Sequence, residues 1–330
     1  MPILPPGVVS NSLAGFPQIF YNRVAVESWL ANTPFLSELT DPKPFPRRSG
    51  RTMQFYGVRN FSGSTTKATE GIPGPSLSLS QAISQVYLDQ YVDWIGISDV
   101  VQDMFINSAV TDATRQLSYR GALTGNLVAS SAFDAAAVLD STARVDLGDN
   151  EFLSSATIRR CETSLVNNNV PGRDDGMYST VMSALTSYDL FSDNSAGSAV
   201  DVLKRTPQGA SELKAGIVRS FNVMEWAGCR IIRTSTVPTY ANYPSAGKTG
   251  YGTFVVGRDA MFASELAGVS APKSPNYAVK VTYLTEPDLS NPTLQTSCLA
   301  SFNFYLGVSP RPNLNGTSGF RRIRAEVSIV

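Results

Sequence analysis

Few residues in this 330-residue chain could do chemistry, and their types narrow the options at once. The chain contains no histidine. That removes the commonest general base, the commonest metal ligand and every Ser-His or Cys-His nucleophile pair. Asp99 and Asp103 stand four apart and would share a helical face, as the paired carboxylates of an acid–base or metal site do, but acidic residues at a helix start are expected from the helix dipole alone. Arg173, Asp174 and Asp175 sit in a Pro/Gly loop that lacks the further oxygen ligands of a calcium loop. Serine is abundant, yet no GxSxG nucleophile turn, GxxxxGK[ST] phosphate cradle or GxGxxG after a strand is present. Cys161, Cys229 and Cys298 lie far apart in apolar surroundings and read as buried thiols, not as a metal knuckle or a disulfide framework. The expectation is a non-enzymatic chain with no catalytic centre, metal or cofactor.

Charge gives little direction either. Lysine plus arginine equals aspartate plus glutamate, 27 each, so no overall field draws nucleic acid or an anionic membrane surface. Arg47, Arg48 and Arg51 form a short basic cluster that suits a solvated turn, a nucleic-acid contact or an acidic patch on a partner. Arg321, Arg322 and Arg324 alternate in part with Ile323 and Val327, which fits an edge strand with a basic face, a nucleic-acid contact or a partner-subunit salt bridge. Asn60-Phe61-Ser62 and Asn315-Gly316-Thr317 match the glycosylation triplet. The N-terminus lacks a signal-peptide pattern and no uncharged apolar run reaches membrane-spanning length, so those triplets read as chance and the chain as one made in a cytosol.

The elements that must carry such a chain are more telling. From Gln85 to Leu139 a strand-like run, VYLDQYVDWIGI, passes into ISDVVQDMF and then a long helical run with no proline. Ile106, Val110, Ala113, Leu117, Gly121, Thr124, Val128, Ala132, Ala135 and Leu139 fall on one apolar or small stripe. Asp112, Arg115, Gln116, Asn126, Ser130 and Asp134 oppose it, interrupted by Tyr119, Leu123 and Phe133. One helix of about 45 Å follows. Gly121 and Gly125 each cost about 1 kcal/mol inside it, which suggests that another backbone packs closely there.

Before the helix lies a proline-dense arm to about residue 50, with a short helical candidate from Ala25 to Leu36. Its aromatics Phe16, Phe20, Tyr21, Trp29, Phe35 and Phe45 must rest on the body or on a neighbouring subunit. Next, TMQFYGV and AISQVYLDQYVDWIGI flank a Gly/Ser/Thr/Pro tip and make a long two-stranded excursion too marginal to stand alone. After the helix, Ser154 or Ser155 caps ATIRRCETSLV, with Ile158, Cys161 and Leu165 on its inner face. MYSTVMSAL is a buried strand, TSYDLFSD a helical turn or two, and FNVMEWAGCRIIRTSTV a strand pair about Ala227-Gly228. GTFVVGRDAMFASEL is read as a strand leading into a helix. YAVKVTYL, CLASFNFYLGV and RRIRAEVSI supply further strands. Strands dispersed among helices give an α+β class.

TEGIPGPSLSLS with VYLDQYVDWIGISDVVQDM, then ATIRRCETSLVNNNVP, MYSTVMSAL, SELKAGIVRSFNVMEWAGCRIIRTSTVP, TFVVGRDAMFASEL and FNFYLGV, in that order over nearly the whole chain, resemble the HK97-fold major capsid proteins of tailed bacteriophages, most closely the phage N4-type branch. The resemblance implies an HK97-like capsid fold with an N-terminal arm (1–50) and an extended β-hairpin, the E-loop (51–97). It implies a peripheral domain with a long spine helix (98–149 and 266–297) and an axial α+β domain (150–265 and 298–330).

It implies a major head protein assembling as homo-hexamers and homo-pentamers into an icosahedral shell around double-stranded DNA, which it touches non-specifically. It places the chain in the virion after synthesis in a bacterial host cytoplasm, with no membrane. A decoration or cement protein, a portal and a separate scaffold are the further partners implied. Candidate inter-subunit residues are Phe16, Phe20, Tyr21, Trp29, Arg47, Arg48, Arg51, Phe61, Lys67 and Glu70. Some relatives crosslink an E-loop lysine to a neighbour's asparagine, but a free Lys67 is expected here. The alternatives are another virion module, such as a tail or fibre protein, and a histidine-free serine or carboxylate enzyme.

Overall fold

A computed structural model of the chain describes residues 34–46, 50–58, 78–98, 101, 109–173, 176–193, 195, 223–226, 228–266, 280–283, 296–311 and 318–328. In chain order come a short π-helical turn (Phe35–Leu39), β1 (Asp41–Phe45), β2 (Thr52–Val58), β3 (Gln81–Tyr87), β4 (Asp89–Ser98) and α1 (Ala109–Leu139). A 3-10 turn (Ser141–Ala143), β5 (Arg144–Asp146), α2 (Ser155–Asn167), β6 (Tyr178–Ser183) and α3 (Ala184–Ser192) follow. The remainder is strand: β7 (Val223–Trp226), β8 (Cys229–Thr234), β9 (Thr239–Ala241), β10 (Thr249–Val256), β11 (Met261–Leu266), β12 (Lys280–Tyr283), β13 (Thr296–Pro310) and β14 (Phe320–Glu326). The class is α+β, as expected.

The chain divides into two compact units. The first comprises 1–51, 88–130 and 263–308. Its five-stranded sheet runs β1-β11-β13-β12, with β4 also on β13. β4 and β13 are antiparallel from Asp89↔Leu306 to Thr296↔Ser98. Strand alternation sends Tyr91 and Phe304 to one face, where their rings stack at 5.4 Å, and Val92 and Trp94 to the other. Phe35 and Phe45 are buried on their own chain. The arm's other aromatics lie outside the described residues.

The second unit comprises 52–87, 131–262 and 309–330. Its seven-stranded sheet runs β5-β14-β10-β6-β8-β7, with β9 on β10. β6 pairs parallel to β8 and β14 parallel to β5, while β10 pairs antiparallel to both β6 and β14. One face buries Tyr178, Met182, Cys229, Ile231, Val255, Ile323 and Ala325 against Ile158, Cys161 and Leu165 of α2 and Leu190 of α3. Ser154 caps α2, its side chain accepting from Thr157 N. On the opposite face Phe133 packs on Phe254 and Phe320, with ring centroids 5.8 Å and 5.4 Å apart.

Five expectations change. First, AISQVYLDQYVDWIGI is two strands: β3 pairs with β2 in a two-stranded sheet, whereas β4 joins β13. Leu88 N donates to Arg51 O and Arg51 Nε to Leu88 O, both at 3.0 Å, which fixes the changeover. Second, MFASEL is a strand, not a helix, because its slot lies between β1 and β13 and sheet context overrides propensity. Third, α1 exists as one helix, but its buried line is Val110, Thr114, Leu117, Gly121, Gly125, Ala129, Phe133 and Ala136. Asn126 and Ser130, assigned to the solvent face, are buried, and Asn126 Oδ1 accepts from Phe35 N at 2.8 Å.

Fourth, no backbone presses on Gly125: an added Cβ would lie 3.6 Å from Leu36 Cδ2 and 3.9 Å from Leu306 Cδ2, ordinary contacts. Fifth, β14 is not an edge strand, because β10 and β5 flank it. By length and composition α1 passes as a membrane span. Its Asn126 and Asp134 both bond to protein groups, which marks a core helix.

Candidate functional site

The β2–β3 hairpin is built as an anchored inner face and a bare outer one. The register pairs Phe55 with Ser84 and Met53 with Val86 on one side, and Tyr56 with Ile83 and Thr52 with Tyr87 on the other. Phe55 and Val86 cluster with Phe262, the two phenyl rings 4.6 Å apart. Ser84 Oγ and Ser309 Oγ lie 2.7 Å apart, and Ser309 Oγ also donates to Gln85 O at 3.1 Å. The base of the hairpin is therefore supported by its own unit, more firmly than its sequence suggests. Its outer face carries no described charge: Tyr56 is 63 % exposed and donates to Gln54, while exposed Tyr87 donates to Gln85.

A second bare face belongs to the first unit. Gln90, Val92 and Trp94 of β4 stand opposite Tyr305, Asn303 and Ser301 of β13. Gln90 Nε2 donates to Asn303 Oδ1 at 3.0 Å, and Trp94 is 61 % exposed. A third is α3, where Leu185, Tyr188 and Phe191 are exposed. Exposed apolar positions grouped on one face mark contact surfaces.

Arginines on β14 do structural work. Arg321 is buried and donates to Ser164 Oγ and to the Ser318 and Phe320 carbonyls. Arg322, with no exposed surface, pairs with Asp134 Oδ1 at 2.5 Å, and Tyr240 OH donates to the same oxygen at 2.5 Å. Arg324 bonds Asp146 through two nitrogens at 2.7 and 2.8 Å and lies over the rings of Tyr240 and Tyr243. Burial, then the bond to Asp134 and its charge, push the Tyr240 hydroxyl well above its ordinary value. These partners all belong to the same chain, so neither the basic-edge nor the partner-subunit reading of this cluster holds for Arg321, Arg322 and Arg324.

Burial pushes the Cys161 thiol up to about 11 and the Cys229 thiol up to about 12. All three cysteines are free and buried. Among the described residues no three His, Cys, Asp or Glu side chains gather as metal ligands. Lys248 Nζ reaches Asp149 Oδ1 at 2.5 Å, Asn150 Oδ1 at 3.1 Å and Glu326 Oε1 at 2.8 Å. Its bonds to Asp149 and Glu326 hold it protonated, so it is a tie between loops and not a nucleophile. Of the expected assembly residues, Arg51 is described, bonded to Leu88 O and paired with Asp89. Phe16, Phe20, Tyr21, Trp29, Arg47, Arg48, Phe61, Lys67 and Glu70, like Asp99 and Asp103, lie outside the described residues.

No protein-family model and no curated protein sequence matches the chain. Solved structures do. The capsid of Ralstonia phage GP4 superposes with a TM-score of 0.66 at 12 % identity, covering 88 % of this chain and 87 % of that one. The cyanophage Pam1 capsid gives 0.58 at 12 % identity over 86 % and 87 %. The acidic stable capsid of Helicobacter pylori bacteriophage KHP30 gives 0.55 at 12 % identity over 90 % and 91 %. The chain has the HK97-like capsid fold.

Within that fold the bare faces rest on residues whose sequence alternation marks them. Val92 and Trp94 stand at alternate positions of β4, and Tyr56, Ile83 and Tyr87 share one side of the hairpin. Alternation marks two faces of a strand. It does not mark which face a neighbour covers.

Proposed function

We propose that this chain is the major head protein of a tailed bacteriophage, a structural and non-enzymatic subunit. Copies assemble as hexamers and pentamers into an icosahedral shell around double-stranded DNA, which they contact without sequence readout. The observation that carries this reading is the HK97-like fold, matched over nearly nine-tenths of the chain by phage capsids. The uncharged outer faces of the hairpin and of β4 support it, because a subunit that closes a shell must bury such surfaces against its copies. Membership of the N4-type branch rests on the ordered sequence segments. So do a virion location following synthesis in a bacterial cytoplasm, and the portal, scaffold and decoration partners.

In this reading 1–50 is the arm, 51–97 the E-loop, 98–149 with 266–297 the peripheral domain, and 150–265 with 298–330 the axial domain. Phe16, Phe20, Tyr21, Trp29, Arg47, Arg48, Arg51, Phe61, Lys67 and Glu70 are its inter-subunit contacts. Negative-stain electron microscopy of the protein expressed alone, with sedimentation, tests it. Closed shells, tubes or rings of five and six are expected, and loss of shells with folded subunits intact on deleting residues 60–76. A uniform small trimer or elongated oligomer would overturn the shell reading in favour of a tail or fibre module.

A further inference from the structure

Residues 140–152, which join α1 to α2, are fastened to the second unit more by side-chain charge than by buried apolar surface. From 141 to 152 only Ala143 is buried; Val145 and Leu147 are half-buried and the rest is exposed. The one strand here, β5, is three residues long and closes the sheet edge on β14. Three carboxylates supply the fastening. Asp140 accepts from Thr142 N at 2.9 Å and Thr142 Oγ1 at 2.7 Å, and its other oxygen accepts from Ser318 Oγ, just before β14. Asp146 is held by two nitrogens of Arg324, with Arg322 Nη2 3.8 Å away. Asp149 accepts from Lys248 Nζ at 2.5 Å and from Ser245 Oγ at 3.3 Å.

The other charges about these groups are few. Arg321 of β14 lies near Asp140, and Arg144 of β5 near Asp146. Asp134 of α1 shares Arg322, Glu326 of β14 shares Lys248, and the Glu151 carboxylate accepts from Gly148 N. Tyr240 and Tyr243 lie over Arg324, and Tyr243 OH donates to Leu147 O at 2.6 Å. All three fastening carboxyls are held below their ordinary 3.8. Burial alone would raise Asp140, but the bonds from Ser318 and Thr142 and the charge of Arg321 outweigh it. Asp146 has the same balance, with Arg324 opposing burial most strongly. At Asp149 the bond from Lys248 leads and outweighs desolvation. Neutralising the three removes the carboxylate bonded to Arg324 and one of the two bonded to Lys248, and leaves weaker neutral hydrogen bonds in their place.

We propose that residues 140–150 are an acid-released strap, which lifts from β14 as one piece when its three carboxylates are neutralised while β14, β10, β6 and β8 stay paired. Release turns β14 from an inner strand into an edge, a row of unpaired backbone groups that another strand can join. It does not depend on assembly into a shell. A carboxyl depressed on folding contributes stability that is complete above 3.8 and is lost as pH falls through the lower folded value. Each such group adds at most one proton to the opening, about tenfold per pH unit, and three acting together exceed that.

Hydrogen exchange of the full chain between about pH 5 and pH 2.5, corrected for the intrinsic rate, tests the strap. Peptides covering 140–150 should lose protection by more than about tenfold per pH unit below 3.8, while β6, β8 and β10 keep theirs. Asp140→Asn combined with Asp146→Asn and Asp149→Asn should open the same peptides at pH 7 and remove their dependence on pH. A strap still protected at the lowest pH overturns the proposal. So does a shallower slope, which would mean carboxylates acting singly, or a simultaneous loss throughout the sheet, which would make the strap part of one cooperative core. If the triple variant fails to fold, the parent's titration decides alone.

Discussion

At the scale of single residues, the pairing of fully buried Arg322 with half-buried Asp134 is the most consequential. Removing Asp134 leaves the buried Arg322 guanidinium with only Asp146, 3.8 Å away, at a cost of about 2–4 kcal/mol, below that of a fully buried pair. Asp134→Ala should therefore lower stability by about that amount in urea unfolding, whereas Asp134→Leu combined with Arg322→Met should recover most of it. Gly125→Ala should act in the other direction. Its Cβ would meet only Leu36 and Leu306 at ordinary contact distance, so the gain in helix propensity, about 0.5–1 kcal/mol, should appear as a higher urea midpoint. Asp146 adds a dependence on pH. Burial alone would raise its carboxyl, but the hydrogen bond and charge of Arg324, with Arg322 and Arg144, hold it below the ordinary 3.8. A depressed carboxyl contributes stability that is complete above 3.8 and is lost as pH falls through the lower folded value. Asp146→Asn should flatten the acid limb of a stability–pH curve and leave the neutral region without a new slope. The sequence showed Arg321, Arg322 and Arg324 as a basic cluster and offered no way to find their partners. The carboxylates that hold Arg322 and Arg324 sit on α1 and β5, nearly two hundred positions earlier, and Arg321 is held by Ser164 and by backbone carbonyls.

At the scale of elements, local sequence signals mark where each element lies, whereas its partner is set by contacts distant in sequence. The capping Ser154 and the inner face Ile158, Cys161 and Leu165 gave α2 correctly, and Gly228, at φ 71°, turns β7 into β8 as expected. The change of partner at Leu88 coincides with a break in the alternation, Asp89 and Gln90 both being exposed, but the strand-like run itself continues and does not reveal which strand lies beside it. The buried face of α1 departs from the apolar stripe for a related reason. Apolar type alone does not place Asn126, which is bonded inside, or Leu139, which is left outside. The hairpin yields a prediction at this scale. Because Phe55, Val86 and Phe262 fasten its base, Phe262→Ala should raise hydrogen exchange across β2 and β3 while β6, β8, β10 and β14 keep their protection. Equal loss of protection throughout the unit would mean the hairpin is part of one cooperative core.

At the scale of the whole molecule, balance of charge and uncharged outer faces point to the same physics of assembly. With 27 cationic and 27 anionic side chains, copies brought together suffer little net repulsion, and the faces about Tyr56 on the hairpin and Trp94 on β4 offer apolar area. Association driven by such faces should depend weakly on screening and strongly on temperature. Raising salt from about 0.05 to 0.5 M shortens the screening length from about 14 to 4 Å, which would sharply weaken contacts held by exposed ion pairs. Shell yield should instead change by less than about threefold across that range, rise in sulfate, and fall on cooling, because the hydrophobic contribution weakens as temperature drops. Light scattering of purified subunits across salt and temperature reads both dependences at once. A steep loss of assembly with sodium chloride and no response to cooling would assign the contacts to charged side chains, and would shift attention from the bare faces to the arginines of the arm.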